Sequence, residues 1–309
     1  MNLLITGHTG FVGCAVVTSC QQTFGQSKVR LVGRRCLPWQ EANFVQKQLR
    51  GDENYSDCLQ NIDVVVHCAA RVHVMQDDAQ DALAEYRAMN VVATVNLAKQ
   101  AAAAGVKRFI FISSIKVNGE STTGLKPFTA FDQVANSDPY GISKAEAESA
   151  LKELAKTTGM EVVIIRPPLV YGPGVKANFA SLLRVAQKNL PLPLGAIRNK
   201  RSMVALDNLV DLIMTCIDHP NAANQTFLVS DDHDLSTTEL LKLMTQAAGK
   251  KPRLLPIPMG LIVSVGKLLG KQNVVDRLCG DLQVDIEHTK QTLAWKPPHS
   301  VDASIKRCL

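Results

Sequence analysis

Apolar positions in the first half of the chain fall into short continuous runs, separated by stretches with helical spacing. The runs at 2–6, 28–32, 62–68, 107–112 and 161–165 are too short for core helices. Their unbroken apolar character marks strands buried on both faces. Between the first two, residues 11–22 repeat apolar positions at helical spacing. Residues 79–104 are rich in alanine, lack proline and glycine, and stop at Gly105, a natural C-terminal cap. Residues 139–158 read as a helix with Asp138 as cap, Pro139 in the first position and Gly159 beyond the end. Repeated alternation of apolar strand and helix predicts an α/β fold, a doubly wound parallel sheet covered on both faces.

After Arg166-Pro167-Pro168 the pattern changes. Prolines become dense and the segments shorter and less regular. A smaller, mixed α/β substrate domain is expected there. The division is 1–168 for the first domain, with 202–222 returning to it through a helix at 207–218. Residues 169–201 and 223–309 make the second.

The chain has 309 residues, enough for one large or two joined domains and for a full core. With 46% hydrophobic and 20% charged residues it is not a disordered chain. No apolar run approaches the roughly 18 residues of a membrane span. The N-terminus has no basic flank or cleavage site, so no secretory signal is read and a cytoplasmic location is expected. None of the eight cysteines forms a C-x-x-C, which suits reduced core thiols. The 34 basic and 28 acidic side chains give a net charge of +6. These charges are scattered and aromatics are only 5%, which argues against nucleic acid and for small anionic molecules such as nucleotides. The seven histidines show no metal-ligand spacing, and no G-x-S-x-G occurs.

The first strand runs into Gly7-His8-Thr9-Gly10-Phe11-Val12-Gly13, which opens the first helix. Gly7 and Gly10 let backbone turn tightly and approach a pyrophosphate. Phe11 and Val12 start the helix, whose free N–H groups favour an anion, and Gly13 lets it pack on the sheet. This strand–glycine loop–helix unit predicts a Rossmann-type dinucleotide site. At the end of the second strand, where an NAD site carries an acid for the ribose, the sequence reads Gly33-Arg34-Arg35. Two arginines suit a 2′-phosphate, so NADP is preferred and NAD is the alternative. Asp52 is placed to accept a hydrogen bond from an adenine amino group. His8 reads as a loop residue near the phosphates.

Tyr140 and Lys144 stand at i and i+4 near the start of a helix, on one face. A phenol titrates near 10, and a neighbouring ammonium favours its phenolate. The pair can therefore transfer a proton in an alcohol–ketone interconversion. Ser114 follows the strand at 107–112, at the carboxyl end where such sheets place ligands, and can hold the substrate oxygen with Tyr140. Asn90, inside the long helix, can organise the site through backbone or water contacts.

The glycine loop, Ala69-Ala70 after the strand at 62–68, Ser114 and the Tyr140/Lys144 pair together resemble the extended short-chain dehydrogenase/reductases, over essentially the whole chain. Among these, the segments 166–174, 201–208 and 284–298 look most like bacterial nucleoside-diphosphate-sugar 4-epimerases and 4-ketoreductases of surface-polysaccharide synthesis. The resemblance implies catalysis by Ser114, Tyr140 and Lys144, with Lys144 also on the nicotinamide ribose. It places Ala69, Ala70 and Asn90 at the cofactor, and Asn178, Arg201 and Arg277 at the diphosphate or uridine of a UDP-sugar. It also implies a homodimer through the helices at 79–104 and 139–158. Lys116 and Asn118 replace a threonine and a tyrosine that many epimerases carry, and are expected to flank the sugar pocket.

Three functions follow from this resemblance. The first is 4-keto reduction of a UDP-4-keto-6-deoxy-N-acetylhexosamine, suggested by the two arginines. The alternative is a 4-epimerase of a UDP-sugar or polyprenyl-diphosphate sugar with retained NAD. A remote third is a non-catalytic NADP-sensing protein, against which the intact Ser114, Tyr140 and Lys144 count. The segment 250–271, apolar with basic ends, reads as a buried helix of the substrate domain, with peripheral membrane contact as the other reading.

Overall fold

The computed structural model describes residues 1–71, 81–132 and 138–309. Nine strands and twelve helices follow one another among them. The strands are β1 (Leu3–Thr6), β2 (Val29–Gly33), β3 (Phe44–Gln46), β4 (Val64–His67), β5 (Arg108–Ile112), β6 (Glu161–Arg166), β7 (Leu169–Tyr171), β8 (Met203–Ala205) and β9 (Thr226–Leu228). The helices are α1 (Phe11–Phe24), α2 (Ser56–Leu59), α3 (Ala82–Arg87), α4 (Ala93–Ala103), α5 (Pro139–Thr158) and α6 (Ala177–Lys188), then α7 (Leu206–Asp218), α8 (Thr237–Ala247), α9 (Met259–Leu268), α10 (Gln272–Cys279), α11 (Glu287–Leu293) and α12 (Val301–Lys306).

Seven strands form one parallel sheet in the order β3-β2-β1-β4-β5-β6-β9. Alternate side chains divide it into two cores, as the two-residue period of a strand requires. Leu3, Ile5, Val64, Val66, Ile110 and Val163 face α1 and α7. Leu4, Val65, Phe109, Phe111, Val162 and Ile164 face α2, α4 and α5. Strand order reverses beside β1, and the crevice outside the carboxyl ends of β1, β4 and β5 is where such sheets bind ligands.

The helix expected at 79–104 begins with two residues outside the described ones. From Ala82 it runs as α3, a π-helical turn at Ala88–Val92, and α4. α5 has the expected ends: the Asp138 carboxylate accepts from the Gly141 N–H at 2.8 Å, and Gly159 is left-handed at φ +72°.

After β6 the chain builds a second layer. β7 and β8 pair in parallel, and Tyr171 and Phe179 stack at 5.0 Å within a core shared with α6, α8 and α12. α7 then returns to pack on α1. The expected assignment of all of 223–309 to the second domain needs correction at β9. This strand pairs with β6 and completes the main sheet, and Leu293 and Trp295 further on join the same core. The expectation of a buried helix within 250–271 also needs correction. α9 buries only Gly266 and turns much of its apolar surface outward.

Candidate active site

Backbone geometry fixes the glycine turn. Gly7 has φ +70°, and a Cβ there would lie 2.5 Å from the Ala69 nitrogen. A Cβ on Gly13 would lie 2.2 Å from the Gly7 carbonyl oxygen. Any side chain at either position would push the turn off the sheet. The Gly10 N–H closes the turn on the Gly7 carbonyl at 2.9 Å. α1 starts at Phe11 without a side-chain cap or an acid in its first turn. Its N–H groups and positive dipole end are therefore available to an anion, and the cradle fits a dinucleotide pyrophosphate.

A cavity of about 1600 Å³ runs from this turn across the carboxyl edge of the sheet. Gly7, Gly10, Phe11, Val12 and Gly13 line one part, and Gly33, Arg34, Arg35 and Asp52 another. Ala69 and Ala70 line the middle, and Ser114, Tyr140 and Lys144 the far end. The wall near Asp52 is held from α4: the Asn96 amide donates to the Arg50 and Glu53 carbonyls, each at 2.9 Å. Gly51 packs on Val92, which a Cβ would approach to 2.4 Å. His8 is buried, and its Nε2–H donates to the Arg35 carbonyl at 3.0 Å. Burial pushes its pKa down, so the ring is neutral.

Ser114 lies two residues beyond β5 and caps the short turn Ile115–Val117. Its hydroxyl accepts from the Lys116 N–H at 3.3 Å and lies near enough to the Tyr140 phenol to oppose a rise in the phenol's pKa. Tyr140 lies in the first turn of α5, so the Asp138 cap and Pro139 fix where the phenol emerges. Lys144, one turn on, is buried; its Nζ donates to the Ile112 carbonyl at 2.8 Å and lies 4.3 Å from the centre of the Phe111 ring. Burial pushes the phenol up to about 12, opposed by the Ser114 hydrogen bond. Burial also pushes Lys144 down to about 7, opposed by the nearby Glu148 carboxylate. A proton-holding phenol and an easily discharged ammonium thus line the same part of the site.

Several expected site residues stand elsewhere. Asn90 does not line the cavity. It is buried in the π-helical turn, where Oδ1 accepts from the Arg71 N–H at 2.8 Å and Nδ2 donates to the Arg71 carbonyl and the Ser143 hydroxyl. It ties the segment after β4 to α5. Asn178 is exposed at the start of α6, and Arg277 is exposed on α10. Arg201 is half-buried, and its Nη1 donates to the Gly280 carbonyl at 3.1 Å. Asn118 does not flank a sugar pocket: it is fully buried, accepting from Arg166 at 3.0 Å and donating to the Thr129 carbonyl. Lys116 pairs with Glu120 and Asp138.

Two supports escape a reading of the sequence. Glu148, one turn beyond Lys144, accepts from Arg166 at 2.6–3.2 Å and from Ser113 at 2.5 Å, all buried. The i+4 step from Lys144 is the signal that could have found it. His67 bridges the Thr6 and Thr94 hydroxyls at 2.8 and 3.0 Å, and burial pushes its pKa down to about 3. It stays neutral and locks β1 to β4 below the glycine turn.

A glycine turn shaped for a pyrophosphate and a serine–tyrosine–lysine cluster line one cavity, as an enzyme that moves hydride with a nicotinamide dinucleotide requires. The chain belongs to the NAD-dependent epimerase/dehydratase family, whose sequence model matches residues 3–230. It is 52% identical over 307 residues to a protein of Vibrio cholerae named UDP-glucose 4-epimerase, covering 99% of this chain and 94% of that one. It is 26% identical to the N-acetyl-α-D-glucosaminyl-diphospho-ditrans,octacis-undecaprenol 4-epimerase of Escherichia coli O157:H7, over 100% of this chain and 94% of that one. Among solved structures, MoeE5 in complex with UDP-glucose and NAD superposes with a TM-score of 0.78 at 22% identity, covering 99% of this chain and 97% of that one.

Proposed function

We propose that the protein is a 4-epimerase of a UDP-linked sugar and works with a nicotinamide dinucleotide retained through turnover. The observation that carries this reading is the likeness to the Vibrio cholerae UDP-glucose 4-epimerase along nearly the whole chain. It favours the alternative named above over net 4-keto reduction. The Ser114, Tyr140 and Lys144 cluster supplies the chemistry that either reaction needs.

In this reading the Tyr140 oxygen takes the proton of the sugar C4 hydroxyl as the C4–H bond breaks. Ser114, which lines the same cavity as the phenol, holds the C4 oxygen in line. Protonated Lys144 favours the phenolate by charge. A nicotinamide dinucleotide held by the glycine turn and by Ala69 and Ala70 would supply the acceptor and donor of the C4 hydride. Once the ketone has turned, Tyr140 hands the proton back to the C4 oxygen, and no net oxidation remains. The apolar walls of Ile112 and Val170 help keep water from the ketone.

NAD is the form we propose. One observation favours NADP instead: Arg34 and Arg35 both line the cavity, where an acid would be expected for NAD. Denaturing freshly purified enzyme and separating the released dinucleotide distinguishes them. NAD supports epimerisation; NADP that is lost on dialysis, together with NADPH consumption on adding a 4-ketosugar, would restore the reductive reading. We also carry forward a homodimer through α3, α4 and α5, and Arg201 as a diphosphate ligand.

A further inference from the structure

Residues 250–271 differ from the rest of the surface. They include five basic side chains, Lys250, Lys251, Arg253, Lys267 and Lys271, and no acid. α9 occupies the second half of this segment and is anchored from one side. Ile262 and Val263 pack on the small cluster of Ile197, Val275 and Cys279. Gly266 meets α10 so closely that a Cβ would lie 2.1 Å from Val275 Cγ2. No described residue covers the other side. Leu261, Val265 and Leu268, at i, i+4 and i+7, are exposed there together with Leu269. Leu268 is 86% and Leu269 66% exposed. Single exposed leucines are ordinary, but a whole apolar stripe at helical spacing marks an interaction surface.

We propose that this face docks the protein on an anionic lipid surface. The stripe enters the boundary between headgroups and acyl chains, and the basic side chains meet lipid phosphates. Charge selects this occupant. A two-fold contact between copies would set the same basic segment against itself, and like charges at an interface oppose association. An anionic bilayer neutralises them. No described helix is long and apolar enough to cross a membrane, so α9 would lie in the surface plane. The chain just after α10 is tied to the rest of the fold: the Gly280 carbonyl accepts from Arg201, and the Asp281 N–H donates to the Thr123 hydroxyl.

Flotation of the whole purified protein with vesicles tests the proposal. Vesicles containing phosphatidylglycerol are compared with vesicles of phosphatidylcholine alone. The protein is expected to float with the first at low salt, less at high salt, and not with the second. The double substitution Leu268→Asp with Leu269→Asp, on exposed positions, is expected to abolish flotation while the thermal midpoint and circular dichroism stay unchanged. Lys267→Glu with Lys271→Glu is expected to remove the salt-sensitive part. Wild-type protein that stays free of anionic vesicles overturns the proposal, as does a Leu268→Asp/Leu269→Asp variant that floats equally well. If the wild type stays free and that variant converts a dimer to a monomer in light scattering, the face is a contact between copies and lipid docking is refuted. Sugar turnover is not a readout, so failure of the epimerase reading leaves this result unaffected.

Discussion

The His8 ring fills the space that a side chain at position 33 would need: a Cβ on Gly33 would lie 2.8 Å from His8 Cε1. The ring is held there by its bond to the Arg35 carbonyl and by Phe44, whose ring centre is 5.5 Å away. The Gln40 amide donates to the His8 carbonyl at 3.1 Å. The glycine turn and the loop after β2 are therefore one packed unit. The acid that many dinucleotide sites carry at the end of β2 is excluded here by a neighbouring side chain.

Gly33→Ala is therefore expected to destabilise the protein by about 1–3 kcal/mol through overpacking, and to weaken dinucleotide retention. In a His8→Ala background the same change should be close to neutral. Urea denaturation of the four proteins measures this coupling. Equal effects in both backgrounds would show that the contact carries no energy.

The buried Glu148–Arg166 pair lies one helical turn beyond Lys144, with Ser113 and Asn118 completing its hydrogen bonds. Glu148→Gln leaves the Arg166 charge uncompensated and is expected to cost about 3–5 kcal/mol. Denaturation at neutral pH checks it, and a loss below about 1 kcal/mol would show that the guanidinium reaches water instead.

Lys144 titrates at about 7 in the folded protein against 10.5 for a free lysine. Between those values the unfolded chain binds the proton and the folded one does not. Stability from this group therefore rises with pH from about 7 to about 10.5. Buried thiols such as Cys20, raised to about 12, act in the opposite direction above pH 9. The difference between wild type and Lys144→Met isolates the lysine. In cofactor-free protein, the stability gap between them should move in favour of wild type across that window. A gap that stays flat would place the ammonium in contact with water.

Asn90 touches no cavity surface, yet it joins the Arg71 backbone to Ser143 on the catalytic helix. Asn90→Ala leaves buried backbone groups unpaired, at a cost of about 1–3 kcal/mol. Turnover should fall while the retained dinucleotide is kept. Loss of the dinucleotide with normal kcat in its excess would reverse the assignment.

The limits of the sequence follow from the range of the interactions. β1, β2, β4, β5 and β6 are legible because each is a local apolar run. β3 and β9 have three residues each, and become strands only by pairing with β2 and β6. Ser114, Tyr140 and Lys144 obey local rules, the end of a strand and one helical turn. The partners of Asn118 and Arg201 lie 48 and 79 residues away, and no spacing encodes them. The composition of α9 suits a buried helix as well as a surface one. Its orientation is set by the Gly266–Val275 contact, which depends on how α10 folds back.

The central claim is that Tyr140 moves a proton in a reaction without net redox change. Nuclear magnetic resonance of UDP-glucose incubated with purified enzyme and no added cofactor tests it most directly. The expected result is conversion to UDP-galactose, slowed by about 10²–10⁴-fold in Tyr140→Phe, which keeps its dinucleotide. No conversion of UDP-glucose or other UDP-hexoses, together with NADPH consumption in proportion to a reduced 4-ketosugar, would contradict the account.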